Sequence, residues 1–143
     1  MTAPTPHIDV RAPRFTAALT SVVLAVALLT GSGWLVAAQA LVFAVGAFVG
    51  LRPSPYGLLF RTLVAPRLGP VREREPEAPP RFAQLVGLLF TVVGATGYLL
   101  GVPLLGAVAT GFALVAALLN AVTGFCLGCE FYLSLRRVLP RTA

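Results

Sequence analysis

The chain has 143 residues, of which 57% are hydrophobic and only 11% charged, and it carries a formal net charge of +6. Soluble domains average about a quarter charged residues; here every charge falls in one of three short zones, leaving Phe15 to Leu51 and Phe82 to Cys129 with none. Those stretches of 37 and 48 residues have no polar face to offer water, which excludes a water-soluble enzyme domain.

At about 20 residues per bilayer crossing, each stretch is too long for one membrane helix and about right for two. The expected fold is all-α, a four-span transmembrane bundle. Residues 1–14 read as a short cytoplasmic arm with three prolines. Residues 15–50 form a first hairpin, with spans at about 15–30 and 34–50, a glycine turn at Gly31-Ser32-Gly33 and Trp34 as an interfacial anchor. Arg52-Pro53-Ser54-Pro55 then breaks the helix, because proline lacks an amide proton and restricts the residue before it. Within residues 51–81, Tyr56, Leu59, Phe60, Leu63 and Val64 recur at i, i+3, i+4, i+7 and i+8, which predicts a short amphipathic helix lying in the interface. Residues 69–80 hold four prolines among alternating acids and arginines and read as a solvated linker. Residues 82–135 form the second hairpin, with spans at about 82–100 and 104–123 and helix continuing through Leu135; residues 136–143 are a basic tail.

All eleven basic residues are arginine, and they flank the apolar stretches while the turns inside them stay neutral. Arginine-rich segments remain cytoplasmic, so both termini are expected inside the plasma (inner) membrane. The arginines then act as topology signals and contacts to anionic lipid, not as a nucleic-acid surface, for which no recognition motif is present. A signal peptide cleaved near Ala38-Gln39-Ala40 is disfavoured, since Leu41 to Val49 continues the apolar run.

The halves resemble one another. Pro13-Arg14-Phe15 recurs as Pro80-Arg81-Phe82, and Gly46-x-x-x-Gly50 recurs as Gly124-x-x-x-Gly128, which points to two parallel helical hairpins or to convergence on common membrane patterns. Gly46, Gly50, Gly124 and Gly128 read as close helix packing, and a homo-oligomer through Gly46 and Gly50 stays open. Gln39, Gln84 and Asn120 are intramembrane amides expected to hydrogen-bond between helices.

The two cysteines form one motif, Gly124-Phe125-Cys126-Leu127-Gly128-Cys129-Glu130. On a continuous helix, Thr123, Cys126, Cys129 and Glu130 share an arc of roughly 120°. A CxxC facing the cytoplasm is more often catalytic, redox-sensing or metal-binding than structural. Cys126, Cys129 and Glu130 are therefore a candidate redox or sulfur-relay site, with Arg14, Arg52 and Arg81 as candidate ion-pair or anion partners at the same level. The bland alternative is that two small thiols merely pack. A metal would need further ligands, from a dimer or from His7, so no metal and no cofactor are expected.

The segments Ile8-Asp9-x-Arg11-x-Pro13-Arg14-Phe15, Arg52-x-Ser54-Pro55-Tyr56-Gly57 and Gly124-Phe125-Cys126-Leu127-Gly128-Cys129-Glu130-x-Tyr132 resemble the bacterial membrane family called domain of unknown function 4395, from about Ile8 to Arg137. The resemblance implies a small actinobacterial-type inner-membrane protein, often encoded beside thioredoxin-like proteins and sulfurtransferases. Quinone-linked disulfide-forming and vitamin K epoxide reductase-like enzymes need a second cysteine pair in an outer loop, which is absent here. The functional expectation is a cytoplasm-facing dithiol component of thiol redox or sulfur transfer with a thioredoxin-like or sulfurtransferase partner. The alternative is a structural membrane anchor or small-solute permeation protein. In neither reading is the chain expected to be a self-contained enzyme.

Overall fold

In lipid a backbone amide finds no partner but the chain itself, so uninterrupted apolar runs become helices. The computed structural model describes residues 7–139. Residues 1–6 of the arm and 140–143 of the basic tail, with Arg141, lie outside the described residues. In chain order the elements are β1 (His7–Asp9), α1 (Arg11–Thr30), α2 (Gly33–Phe48), α3 (Pro55–Leu59), a π-helical turn (Phe60–Val64), α4 (Ala65–Leu68), β2 (Arg74–Pro76), α5 (Ala78–Leu99), α6 (Pro103–Thr123) and α7 (Leu127–Val138). Helices α1, α5 and α6 are long and apolar enough to cross a bilayer, the mark of a membrane protein. The expected fourth span is shorter than that: α2 has 16 residues, roughly 24 Å against a hydrocarbon core of about 30 Å.

Helix α2 packs mainly along α5, and α1 along α6, so the hairpins are interlocked rather than laid side by side. α1 and α2 meet near their own turn through Ala27 and Val36, which cluster with Ala95. The tightest crossing is between α5 and α6. A β-carbon at Gly97 would stand 2.5 Å from the Gly106 amide nitrogen, and one at Gly94 would stand 2.5 Å from Thr110 Oγ1. Small residues allow this approach, and in lipid close packing is what holds helices together.

The four glycines of the two GxxxG segments divide by role. Gly46 and Gly128 do pack closely, against Gln84 and Ala83 of α5. Gly46 thus faces the same chain. Gly50 and Gly124 instead lie beyond helix ends with φ of 137° and 78°, a region that a side chain would disfavour. The expected continuation of helix through Leu135 is overturned for the same reason: α6 stops at Thr123, Gly124 turns left-handed, and α7 starts afresh at Leu127. The single-face arc of Thr123, Cys126, Cys129 and Glu130 therefore does not exist.

The arm and linker are also more ordered than expected. β1 pairs antiparallel with β2, His7 opposite Pro76 and Asp9 opposite Arg74, and Ile8 is buried beneath the ribbon. Asp9 accepts from the Arg11 amide and pairs with its guanidinium at 2.7 Å, while Arg11 also donates to the carbonyls of Leu68 and Gly69. The guanidinium holds the Asp9 carboxyl below its ordinary value of 3.8; burial, with help from Glu73, pushes Glu75 above its own. The signs oppose. The Asp9 contribution is present above about pH 4 and is lost as pH falls further, whereas the cost of ionised Glu75 is relieved as pH falls through its raised value. Hydrogen exchange of the ribbon, corrected for intrinsic rates, is expected to be slowest in mild acid. Asp9→Asn should abolish the loss on the acidic side and Glu75→Gln the gain; a flat profile in the unmodified chain would contradict both assignments.

Candidate functional site

Three of the arginines expected as topology signals also donate to carbonyls at a helix C-terminus. Arg14 donates to Ala121 and Val122 at the end of α6, both at 3.2 Å. Arg81 donates to Ala47 at 2.9 Å and Phe48 at 3.1 Å at the end of α2, and stands 3.7 Å from buried Glu77. Arg11 closes α4 in the same way. A cation there satisfies orphan carbonyls and meets the negative end of the helix dipole. The carbonyls that Arg14 and Arg81 engage lie two and three residues upstream of a positive-φ glycine, so Gly50 is the counterpart of Gly124. The sequence match of Gly46 with Gly124 is thus displaced by about one turn. Replacing Arg14 or Arg81 with glutamine is expected to cost about 1 kcal/mol each, read as a lower melting temperature in detergent. Unchanged melting in both variants would remove the capping role.

The correspondence continues into the short helices α3 and α7. Ser54 caps α3, its Oγ accepting from the Gly57 amide at 3.1 Å. Cys126 caps α7, its Sγ accepting from the Cys129 amide at 3.2 Å. Phe15 of α1 stacks near Phe60 at 5.7 Å, and Phe82 of α5 near Tyr132 at 5.5 Å and Phe131 at 5.9 Å. Cys126 therefore stands where the first half has serine, and Cys129 where it has Gly57.

Cys126 and Cys129 are joined as a disulfide with Cα atoms 5.1 Å apart. Both are part-buried, and Cys126 lines a cavity between the halves. Glu130 lies in the first turn of α7 and is exposed. Its expected ion pair with Arg14, Arg52 or Arg81 is corrected: among the described residues Arg81 pairs with Glu77 instead, and Arg14 and Arg81 spend their donors mainly on helix ends. Arg52 is exposed at the cavity rim. Among the described residues no group of three metal-ligating side chains occurs.

Of the amides, Gln39 behaves as expected. It is buried between α1 and α3, donating to Thr20 Oγ1 at 3.4 Å and accepting from the Tyr56 hydroxyl at 2.7 Å. Gln84 and Asn120 line the cavity. Sequence reasoning does not find the capping arginines, although the repeated Pro-Arg-Phe together with helix-ending glycines is the signal that could have.

Fold and site together define a helical membrane protein in which a CxxC disulfide opens the short helix α7. The chain matches the family described as domain of unknown function (DUF4395) over residues 8–137, and it belongs to that family. No curated protein and no solved structure matches it.

Proposed function

We propose that the protein is a dithiol component of thiol redox or sulfur transfer at the inner membrane, with four spans, both termini inside and Cys126–Cys129 at the cytoplasmic face. The observation that carries this reading is Cys126 as the N-cap of α7. Sulfur is a weaker acceptor than the serine hydroxyl that does the same job in the first half, so capping alone does not account for a cysteine there. In the reduced pair, the amides and dipole of the helix N-terminus favour a thiolate at Cys126. That thiolate attacks a disulfide sulfur of a thioredoxin-like or sulfurtransferase partner and forms a mixed disulfide. Cys129 then displaces the partner's remaining sulfur, leaving the partner a dithiol and this pair oxidised. Glu130, exposed in the same first turn of α7, is the acid that takes up a thiol proton in this reading.

In this reading α2 is the fourth crossing, its short apolar length extended by Val49 and by the arginine that closes its end. Cytoplasmic disulfides do not persist structurally, so sidedness decides between this function and an anchor or permeation protein with a merely structural disulfide. The test is labelling with an impermeant maleimide after mild reduction, in inverted and in right-side-out vesicles. Labelling of both cysteines in inverted vesicles alone supports the proposal. Labelling only in right-side-out vesicles, or in neither, rejects it.

A further inference from the structure

The cavity that Cys126 borders has a volume of about 640 Å³ and is walled by α1, α5, α6, the π-helical turn and the start of α7. Ligand pockets run from about 300 to 1,000 Å³. Its lining changes character along its depth. Phe43, Phe90 and Phe112 line its apolar part, and the Phe90 and Phe112 rings meet at 6.1 Å with one side exposed toward the surroundings of the bundle. On α5 the lining extends from Pro80 to Phe90, roughly 15 Å and so about half a hydrocarbon core. The rim carries Arg52, Arg61 and Arg74.

The rim charge is uncompensated. Asp9 is the rim's carboxylate, and Arg11 already engages it at 2.7 Å. Arg52 and Arg61 are exposed and have neither a hydrogen bond nor an ion pair among the described residues. A mainly apolar shaft half a bilayer deep, with Gln84 and Asn120 as amides on its wall, lies under two unpartnered guanidinium groups and is complementary to a molecule with one apolar chain and one anionic head. We propose that this cavity binds a long-chain fatty acid, its carboxylate held by Arg52 and Arg61 and its chain lying along Phe43, Phe90 and Phe112. Guanidinium groups suit a carboxylate because two parallel N–H donors match its two oxygens. The volume suits one acyl chain. This site is independent of the thiol chemistry and stands whether or not Cys126 is reactive.

The test uses the full chain in phosphatidylcholine nanodiscs and measures binding of radiolabelled palmitate. Saturable binding of one palmitate per chain is expected, about tenfold weaker in the double variant Arg52→Gln/Arg61→Gln and weaker again at high salt. Arg67→Gln removes an arginine that does not line the cavity and should leave binding unchanged. Hexadecanol, with the same chain and no charge, should compete poorly. Ala117→Phe fills the shaft from α6 and should abolish binding; Phe43→Trp serves the same purpose from α2 if that variant does not fold. Because Cys126 is on the wall, palmitate should also slow its alkylation in the reduced protein. Non-saturable uptake, competition by hexadecanol equal to palmitate, indifference to the double arginine variant, or equal displacement by phosphatidylglycerol would each overturn the proposal. The last of these would reassign the arginines to ordinary acidic lipid.

Discussion

Replacing Gly57 with alanine is expected to be among the most damaging single substitutions in the chain. A β-carbon there would overlap the Leu51 carbonyl oxygen and press on that of Arg52 at 3.0 Å. Those atoms are backbone and cannot rotate away. The Leu51 carbonyl is further fixed by the Ser54 hydroxyl, which donates to it at 2.7 Å. Overpacking a buried site costs about 1–3 kcal/mol and more where the neighbour cannot yield. A fall in membrane abundance and a melting temperature lowered by many degrees are expected, while Cys129→Ala at the corresponding place in the second half, compared with the reduced unmodified protein, should be tolerated. Equal stability of the Gly57→Ala and unmodified proteins would show that the chain between α2 and α3 is far looser than these contacts require.

The second large effect separates the two cysteines. Cys126→Ser keeps an N-cap acceptor and should leave the fold intact while removing the attacking sulfur. Cys129→Ser leaves Cys126 alone at the helix N-terminus, with its thiolate favoured. An ordinary thiol is only a few per cent ionised at pH 7, and the lower intrinsic nucleophilicity of a stabilised thiolate offsets part of the gain, so the single thiol of Cys129→Ser should alkylate about tenfold faster than that of Cys126→Ser. The measurement is the iodoacetamide rate against pH. The advantage should be largest near neutrality and shrink in alkali, where both thiols ionise. Matching rates across the whole range would leave the pair without a nucleophile and return it to packing.

Apolar length and the breaks at Gly31, Pro53 and Pro103 were legible in the sequence because they act locally. The helix break at Gly124 was not, since a glycine inside an apolar run also occurs as a packing residue; only the backbone angle distinguishes the two uses. Gly46 and Gly50 show the same ambiguity within one motif, one pressed against Gln84 and the other outside its helix. The β-ribbon was hidden for another reason. Its strands are three residues each and pair across more than sixty positions, with a composition of proline and alternating charge that reads as solvated chain. Arginine placement gave the charge zones correctly, but which carbonyls each guanidinium would reach depends on the interlocked order of the helices. The cysteine pair was visible as a motif; its position as a cap, and the cavity beside it, needed three dimensions.

The exchange of partners between the hairpins carries a consequence for how the protein is made. Each hairpin's second helix is closed by an arginine on the other hairpin's first helix, so neither half can be finished alone. At a synthesis rate of about 5–20 residues per second, the roughly thirty residues separating the end of α2 from Arg81 take several seconds to emerge. During that interval the carbonyls of Ala47 and Phe48 wait without their donor, and α2 waits without the helix it lies against. The early chain is thus an intermediate that the nascent remainder must complete, and a ribosome stalled inside the linker would strand it in the bilayer as a substrate for membrane proteolysis.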